Sequence, residues 1–311
     1  MKRFSLAPPT YESLYMKKIL SLLIMIVASA WAQAQIIVPV VWVFSPTSTQ
    51  GLMIREIVNE ANLIQKKYQF VLETRGGAGG AVGTNYVLSL RQPAVLAHTS
   101  SFFIRPYMDK EGAYDPEQFQ MLNAYCQDQP LALISRNYKT LSDLQKQTKL
   151  SAGILPGSIT QLVTTEFKIQ NANINLVEAG FKGTPEITTA VLGGHLDFGI
   201  DFLAGVNNND LNVLGITGTQ NYGRARTFRS QGLSGYENIT SSYYLFVAKN
   251  TDTAIVRDLN EIMIKAVTNK NAIDYCKKDF GQPSNVTGDS ARDLMRQKHQ
   301  YWRLSVEKII K

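Results

Sequence analysis

The sequence predicts an α/β fold divided between two domains. Three observations carry that prediction. From Ile36 onward, short apolar runs alternate with stretches of helical period, the pattern of βαβ units and largely parallel sheets. The chain has 311 residues, more than a single core of about 100–200 residues organises. The segments that close the apolar runs are FSPTST, RGGAGG, AHTSS, LPGSIT and FKGT. Ligands on open α/β sheets bind at the carboxyl ends of strands, so these Ser-, Thr- and Gly-rich ends place a small-molecule cleft between two α/β lobes.

The N-terminal region reads as an export signal. Met16-Lys17-Lys18 precedes the apolar run ILSLLIMIVASAWA and then Ala32-Gln33-Ala34. A positive start, a short apolar middle and an A-x-A end define a secretory signal peptide over 16–34. Ile19 to Ala32 falls short of the roughly 20 residues of a membrane span. Cleavage after Ala34 gives a mature chain from Gln35, and residues 1–15 read as an upstream extension.

In the mature chain, IIVPVVWVF (36–44) is the first buried strand and SPTSTQ (45–50) its loop. A helix from about Gly51 puts Met53, Ile57, Ala61 and Ile64 on one face. YQFVLET (68–74) is the second strand, and Val82, Tyr86, Val87 and Leu90 predict a helix over 81–91. PAVLAHTSS (93–101) reads as a strand running into a small-residue loop. PLALIS (130–135) starts another strand, and LSDLQKQ (141–147) is a short helix capped by Thr140 or Ser142. A second set follows: strand LSAGIL, loop PGSIT, helix QLVTTEFKIQN, strand INLVEA, loop GFKGTP and helix EITTAVLGG. LDFGIDFL, LNVLGIT and SYYLFVAK are further strands, before two C-terminal helices from about Thr253 and about Ser290.

ETRGGAGGAVGTNY (73–86) is built for close backbone approach. Glycine permits positive φ, and a helix start leaves N–H groups aimed at an anion. Neither nucleotide fingerprint fits. No Lys follows a glycine as in a P-loop, and Val82 stands where the dinucleotide pattern counted from Gly77 needs its third glycine. On spacing alone the loop either binds an anion or packs a helix onto a sheet.

Charge and composition exclude other classes. The net charge is +7; residues 1–34 hold four basic and one acidic residue, which leaves +4. That is no nucleic-acid footprint. Cys126 and Cys276 have no second Cys or His at metal-ligand spacing, so no metal or cofactor is expected. After export they can form one disulfide, but their positions leave pairing open. An enzyme reading finds no G-x-S-x-G elbow and no Asp/Glu pair on the glycine loops.

Several of these segments together resemble the periplasmic solute-binding receptors of the tripartite tricarboxylate transporters, the Bordetella-uptake receptor family. ETRGGAGGAVGT (73–84) is similar to the family's E-N-R-x-G-A-G-G-x-x-G-T. FKGTPEITTAVLGGHLD (181–197) resembles Y-K-G-x-x-P followed by L-G-G-x-x-D, with Phe181 for Tyr and Pro185 one place early. YDPEQF (114–119) resembles Y-D-P-x-x-D-F with one residue missing, and Leu211–Thr217 resembles L-R-x-L-A-V-T. The match keeps its order over most of 36–300. It departs in the first loop, where SPTSTQ replaces a Pro- and Gly-rich loop, and at RQPAV (91–95), where Asp-Gly-Tyr-Thr is usual.

The resemblance implies a type II periplasmic binding protein, a Venus flytrap whose two α/β domains close over a small carboxylate-bearing ligand. It implies a monomer in the periplasm that hands its solute to the membrane permease subunits of a tripartite transporter. The lobes are expected over 35–129 with 239–311, and over 130–238. A flytrap that presents its closed form to a membrane sensor kinase is the alternative. Main-chain N–H groups and hydroxyls hold the carboxylate in such receptors, partly through water, with little use of Arg. Carried onto this chain, the first lobe offers Phe44, Ser45, Thr47, Ser48, Thr49, Ala78, Thr99 and Ser100. The second offers Gly157, Ser158, Thr160, Phe181, Lys182, Gly183 and Asp201. Ser45, Thr47 and Thr49 serve equally as helix caps, Lys182 as a surface lysine, and Asp201 as a hinge residue. His98 is expected to be solvated.

Overall fold

The computed structural model describes residues 35–108, 114–206 and 210–310; the expected extension and signal peptide lie outside them. β1 (Ile36–Trp42) is buried from Val38 onward, as a near-continuous apolar run requires in a parallel sheet covered on both faces. α1 (Thr49–Leu63) crosses over to β2 (Tyr68–Thr74), and α2 (Ala81–Ser89) to β3 (Val95–Thr99). Both strands run parallel to β1, one on each side.

α3 (Ser101–Met108) then packs Phe102, Phe103 and Ile104 into the core. The sequence reading takes its start for a loop, because a run of small hydroxyl residues precedes it. β4 (Phe119–Gln129) continues almost without a break into β5 (Leu131–Ser135), with Pro130 between. β4 joins the first sheet and β5 the second, so this short link is one crossing between the lobes.

The second lobe repeats the first in outline. After α4 (Leu141–Gln145), with its Thr140–Asp143 capping box, come β6 (Lys149–Ile154), α5 (Ile159–Gln170), β7 (Asn175–Gly180), α6 (Thr184–Leu192) and β8 (Phe198–Phe202). β6 lies parallel to β7 and β8, as β1 does to β2 and β3. β9 (Asn212–Ile216) closes the edge against β5.

The chain returns to the first sheet through β10 (Ser241–Ala248), which inserts antiparallel between β3 and β4. α7 (Thr253–Val267), α8 (Lys270–Lys278), β11 (Gln282–Val286) and α9 (Gly288–Ile310) complete it. Three helices stand where the sequence suggested two, because Asn269 caps a new start by accepting from Ala272 N–H. β11 pairs with β4 and carries Pro283 at the sheet edge, where a missing N–H is tolerated. Among the described residues the sheet orders are β11-β4-β10-β3-β1-β2 and β7-β6-β8-β5-β9. Cys126 of β4 and Cys276 of α8 form a disulfide, which decides the pairing that the sequence left open. No described helix is long and apolar enough to cross a membrane.

Candidate functional site

The two loops that follow the central strands are built alike. In the first, Ser48 Oγ donates to Ser45 O (2.8 Å) and accepts from Gly51 N–H (3.1 Å). In the second, Ser158 Oγ donates to Leu155 O (2.8 Å) and accepts from Thr160 N–H (3.2 Å). Each serine thus tightens its own loop and caps the helix that follows, α1 or α5. Trp42 Nε1–H donates to Ser45 O at 3.0 Å, which fixes the first loop against its strand.

Both helix starts open onto one cavity. Its walls include Ser45, Ser48, Gln50 and Thr99 from the first lobe, and Ser158, Ile159, Thr160 and Thr184 from the second. Trp42, Phe44, Leu155 and Phe202 supply the apolar part. Helix N-termini concentrate partial positive charge of about half an electron each, and here two from opposite lobes converge. The cavity measures about 20 Å³, space for about one water molecule. A second cavity of about 320 Å³ adjoins it, lined by Thr47, Ser48, Thr49, Gln50, Thr184 and Asp201. Among the described residues, no Lys or Arg lines either one.

The lobes meet tightly around this space. Ile159 N–H, at the start of α5, donates to Ser101 Oγ of the first lobe at 3.1 Å. Gly79 has φ +61°, and a Cβ there would lie 2.6 Å from Pro156 O. Gly157 has φ +75°, and a Cβ there would lie 2.2 Å from Arg105 Cδ. Arg105 is buried and its Nε–H donates to Ala78 O at 2.8 Å. So the glycine loop, Arg105 and the Gly157 turn form one close-packed junction, with backbone where side chains have no room.

The expected residues divide accordingly. Phe44, Ser45, Ser48, Thr99, Ser158 and Thr160 line the small cavity, and Thr47, Ser48, Thr49 and Asp201 the larger. Ser100 is turned away to accept from Ser242 N–H at 2.9 Å, and its neighbour Ser101 lines the cavity instead. Ala78 and Gly157 belong to the junction. Gly183 faces Ser45 across the cleft, where an added Cβ would come 2.9 Å from Ser45 Cβ. The N–H groups of Lys182 and Gly183 both donate to Glu186 Oε2, at 3.0 and 3.2 Å. Lys182 is exposed, Phe181 half-buried, and neither lines the two cavities. Asp201 is buried; its Oδ2 accepts from Thr188 Oγ1 (2.6 Å) and its Oδ1 from Phe202 N–H (2.7 Å). Burial raises its pKa.

His98 corrects an expectation. It is fully buried among Phe44, Phe102 and Tyr114, and burial lowers its pKa to about 3. Its Nδ1 lies 2.9 Å from Thr99 N and 3.1 Å from Thr99 O, which ties the ring to its own strand end. It holds the end of β3 rather than meeting solvent.

Sequence reasoning missed Gln50, Ser101 and Thr184, whose side chains reach the cleft from the first turns of α1, α3 and α6. The signal was present for Ser101 and Thr184, since both stand at the end of a strand-to-helix loop. The structure has the two-lobed flytrap form that the motifs implied. The family described as "Tripartite tricarboxylate transporter family receptor" matches residues 55–309. The chain belongs to this family.

Several solved structures share the architecture at low identity. The periplasmic binding protein BugD superposes with a TM-score of 0.78 at 18% identity, over 88% of this chain and 97% of that one. An R. palustris protein solved with adipate gives 0.76 at 20%, over 90% and 97%. MatC from Rhodopseudomonas palustris, with bound malate, gives 0.76 at 18%, over 86% and 98%. A UPF0065 protein from the tcbD-tcbE intergenic region of Pseudomonas sp. (strain P51) is 19% identical over 285 residues, 85% of this chain and 84% of that protein.

Proposed function

We propose that this chain is an exported receptor that captures a small carboxylate-bearing metabolite between its lobes and delivers it to a membrane permease. The observation that carries this reading is the convergence of two serine-capped helix N-termini, one from each lobe, on a single cavity. Fixed N–H dipoles and hydroxyls favour an anion without a cationic side chain, and bridging waters complete such contacts at low cost. Two structurally similar proteins were solved with adipate and with malate, which supports the ligand class. The lobes are 35–129 with 239–311, and 130–238, hinged at the crossings that flank Pro130 and precede β10. The ligand-binding set comprises Phe44, Ser45, Thr47, Ser48, Thr49, Thr99, Ser158, Thr160 and Asp201, which line the two cavities, with Gly183 facing Ser45 across the cleft. The receptor works as a monomer in the periplasm, after removal of residues 1–34, without a cofactor and without catalysis.

A thermal-shift screen of mono-, di- and tricarboxylates tests it. An acid present at a thousandfold excess over its dissociation constant stabilises the folded chain by about 4 kcal/mol. That is a rise of several degrees, at roughly 2–4 °C per kcal/mol for a chain of this size. A panel in which no carboxylate moves the midpoint would refute the carboxylate reading.

A further inference from the structure

Asp279 stands at the C-terminal end of α8, fully buried. Its Oδ2 accepts from the Tyr243 hydroxyl and, at 3.3 Å, from Gln50 Nε2. Its Oδ1 has no partner among the described residues. A carboxylate oxygen buried without a donor is costly when charged, and burial pushes this carboxyl up to about 7, with Asp201 of the other lobe adding to the effect. Gln50 is itself buried and lines both cleft cavities. A single amide side chain therefore connects the acid to the cleft wall.

Among the described residues, the titratable groups facing Asp279 supply no compensating cation. They are Tyr243 from β10, Tyr125 from β4 and Asp201 from β8. Burial holds both tyrosines neutral by raising them well above their usual range. Cys276, on the same helix, is in the disulfide and does not titrate.

We propose that Asp279 is a positioning residue of the receptor that, acting through Gln50, couples proton uptake to capture of an anionic ligand. This rests on the reading of the cleft as a carboxylate site. Ionised, Asp279 sets a negative charge behind Gln50, in a region of low dielectric, and opposes a ligand carboxylate. Its proton belongs on Oδ1, the oxygen that accepts nothing, so the bonds to Oδ2 persist and Gln50 keeps its place while the charge disappears. Linkage is reciprocal: an anion that binds better to the protonated form raises the proton affinity of Asp279 by the same factor.

The test is calorimetric titration of the wild-type receptor and Asp279→Asn with adipate and with malate, at pH 6.5 and 8.5, in two buffers of different ionisation enthalpy. The wild type should bind roughly fivefold or more tightly at the lower pH and take up protons on binding. Asp279→Asn should bind at the low-pH level throughout and take up none. A ligand-free readout comes from the urea midpoint. The folded-state pKa is raised, so the stability it confers is present below the unfolded value of about 3.9 and is lost as pH rises through about 7. Relative to Asp279→Asn, the wild-type midpoint should therefore fall between pH 5 and 8. Tight binding by both proteins with the same pH profile overturns the inference and leaves the carboxylate reading intact. Binding of neither acid at either pH overturns this inference, and failure of the whole carboxylate panel overturns the reading beneath it. If the variant folds poorly, the wild type decides alone: binding without proton uptake overturns the proposal.

Discussion

Reducing the Cys126–Cys276 disulfide is expected to cost the folded chain about 5 kcal/mol, on the chain-entropy account of a closed loop of this length. The bridged residues lie 150 apart in sequence, so the loop is long and its closure removes much freedom from the unfolded chain. Both partners are buried, one on a central strand of the first sheet and one on α8. The loop they close contains β5 to β9, the whole second sheet, before the chain returns through β10 and α7. The bond thus fastens the first lobe around the point where the second is inserted. A Cys126→Ala/Cys276→Ala protein should melt on the order of 10 °C lower, and the loss should fall on the first lobe, where both cysteines reside. Calorimetry or urea unfolding with and without reductant measures it. A midpoint that reduction leaves unmoved would show that strain or residual unfolded-state structure cancels the entropic gain.

That bond also marks where the sequence stops informing the fold. The parallel strands are legible because each is covered on both faces and so reads as an unbroken apolar run, as IIVPVVW does. β4 is not legible. FQMLNAYCQDQ carries Asn123 and Gln129 into full burial, a placement made tolerable by partners distant in sequence, such as the 2.7 Å bond from Asn123 Nδ2 to Asn285 Oδ1. β11, QPSNV, has no apolar period because it covers an edge. The site divides in the same way. Ser48 and Ser158 can be read as caps, since a cap is a local bond between near neighbours. Gln50 reads as one more polar residue in a helix start, and only the meeting of two lobes and α8 shows that it is buried between the cleft and Asp279. The glycine loop is legible as a place of close approach, but what approaches it, the Pro156–Gly157 turn of the other lobe, is a tertiary fact.

That close approach sets the second large effect. Gly157→Val should weaken capture of a carboxylate by on the order of a hundredfold while leaving each lobe folded. Two costs follow. A side chain at φ +75° sits in the left-handed region, which for a branched residue costs about 1–2 kcal/mol. The added Cβ would also fall 2.2 Å from Arg105 Cδ, and Arg105 is held by its bond to Ala78 O. The strain is local to the turn and lowers stability whether or not the lobes close, whereas the clash, at about 3 kcal/mol, is the part that costs affinity, two powers of ten. The clash exists only when the lobes meet, because Arg105 belongs to the first and Gly157 to the second, so it acts on the closed form and spares the open one. Thr140→Ala provides the contrast: it removes the cap of α4, away from the cleft, and should cost about 1 kcal/mol of stability, with or without ligand. Titration of both variants with the strongest acid from the screen, alongside solution scattering, separates the effects. Gly157→Val should scatter as the open form at acid concentrations that close the wild type. If it binds with unchanged affinity, the bound state does not bring Gly157 against Arg105, and the two lobes close over their solute along a different contact.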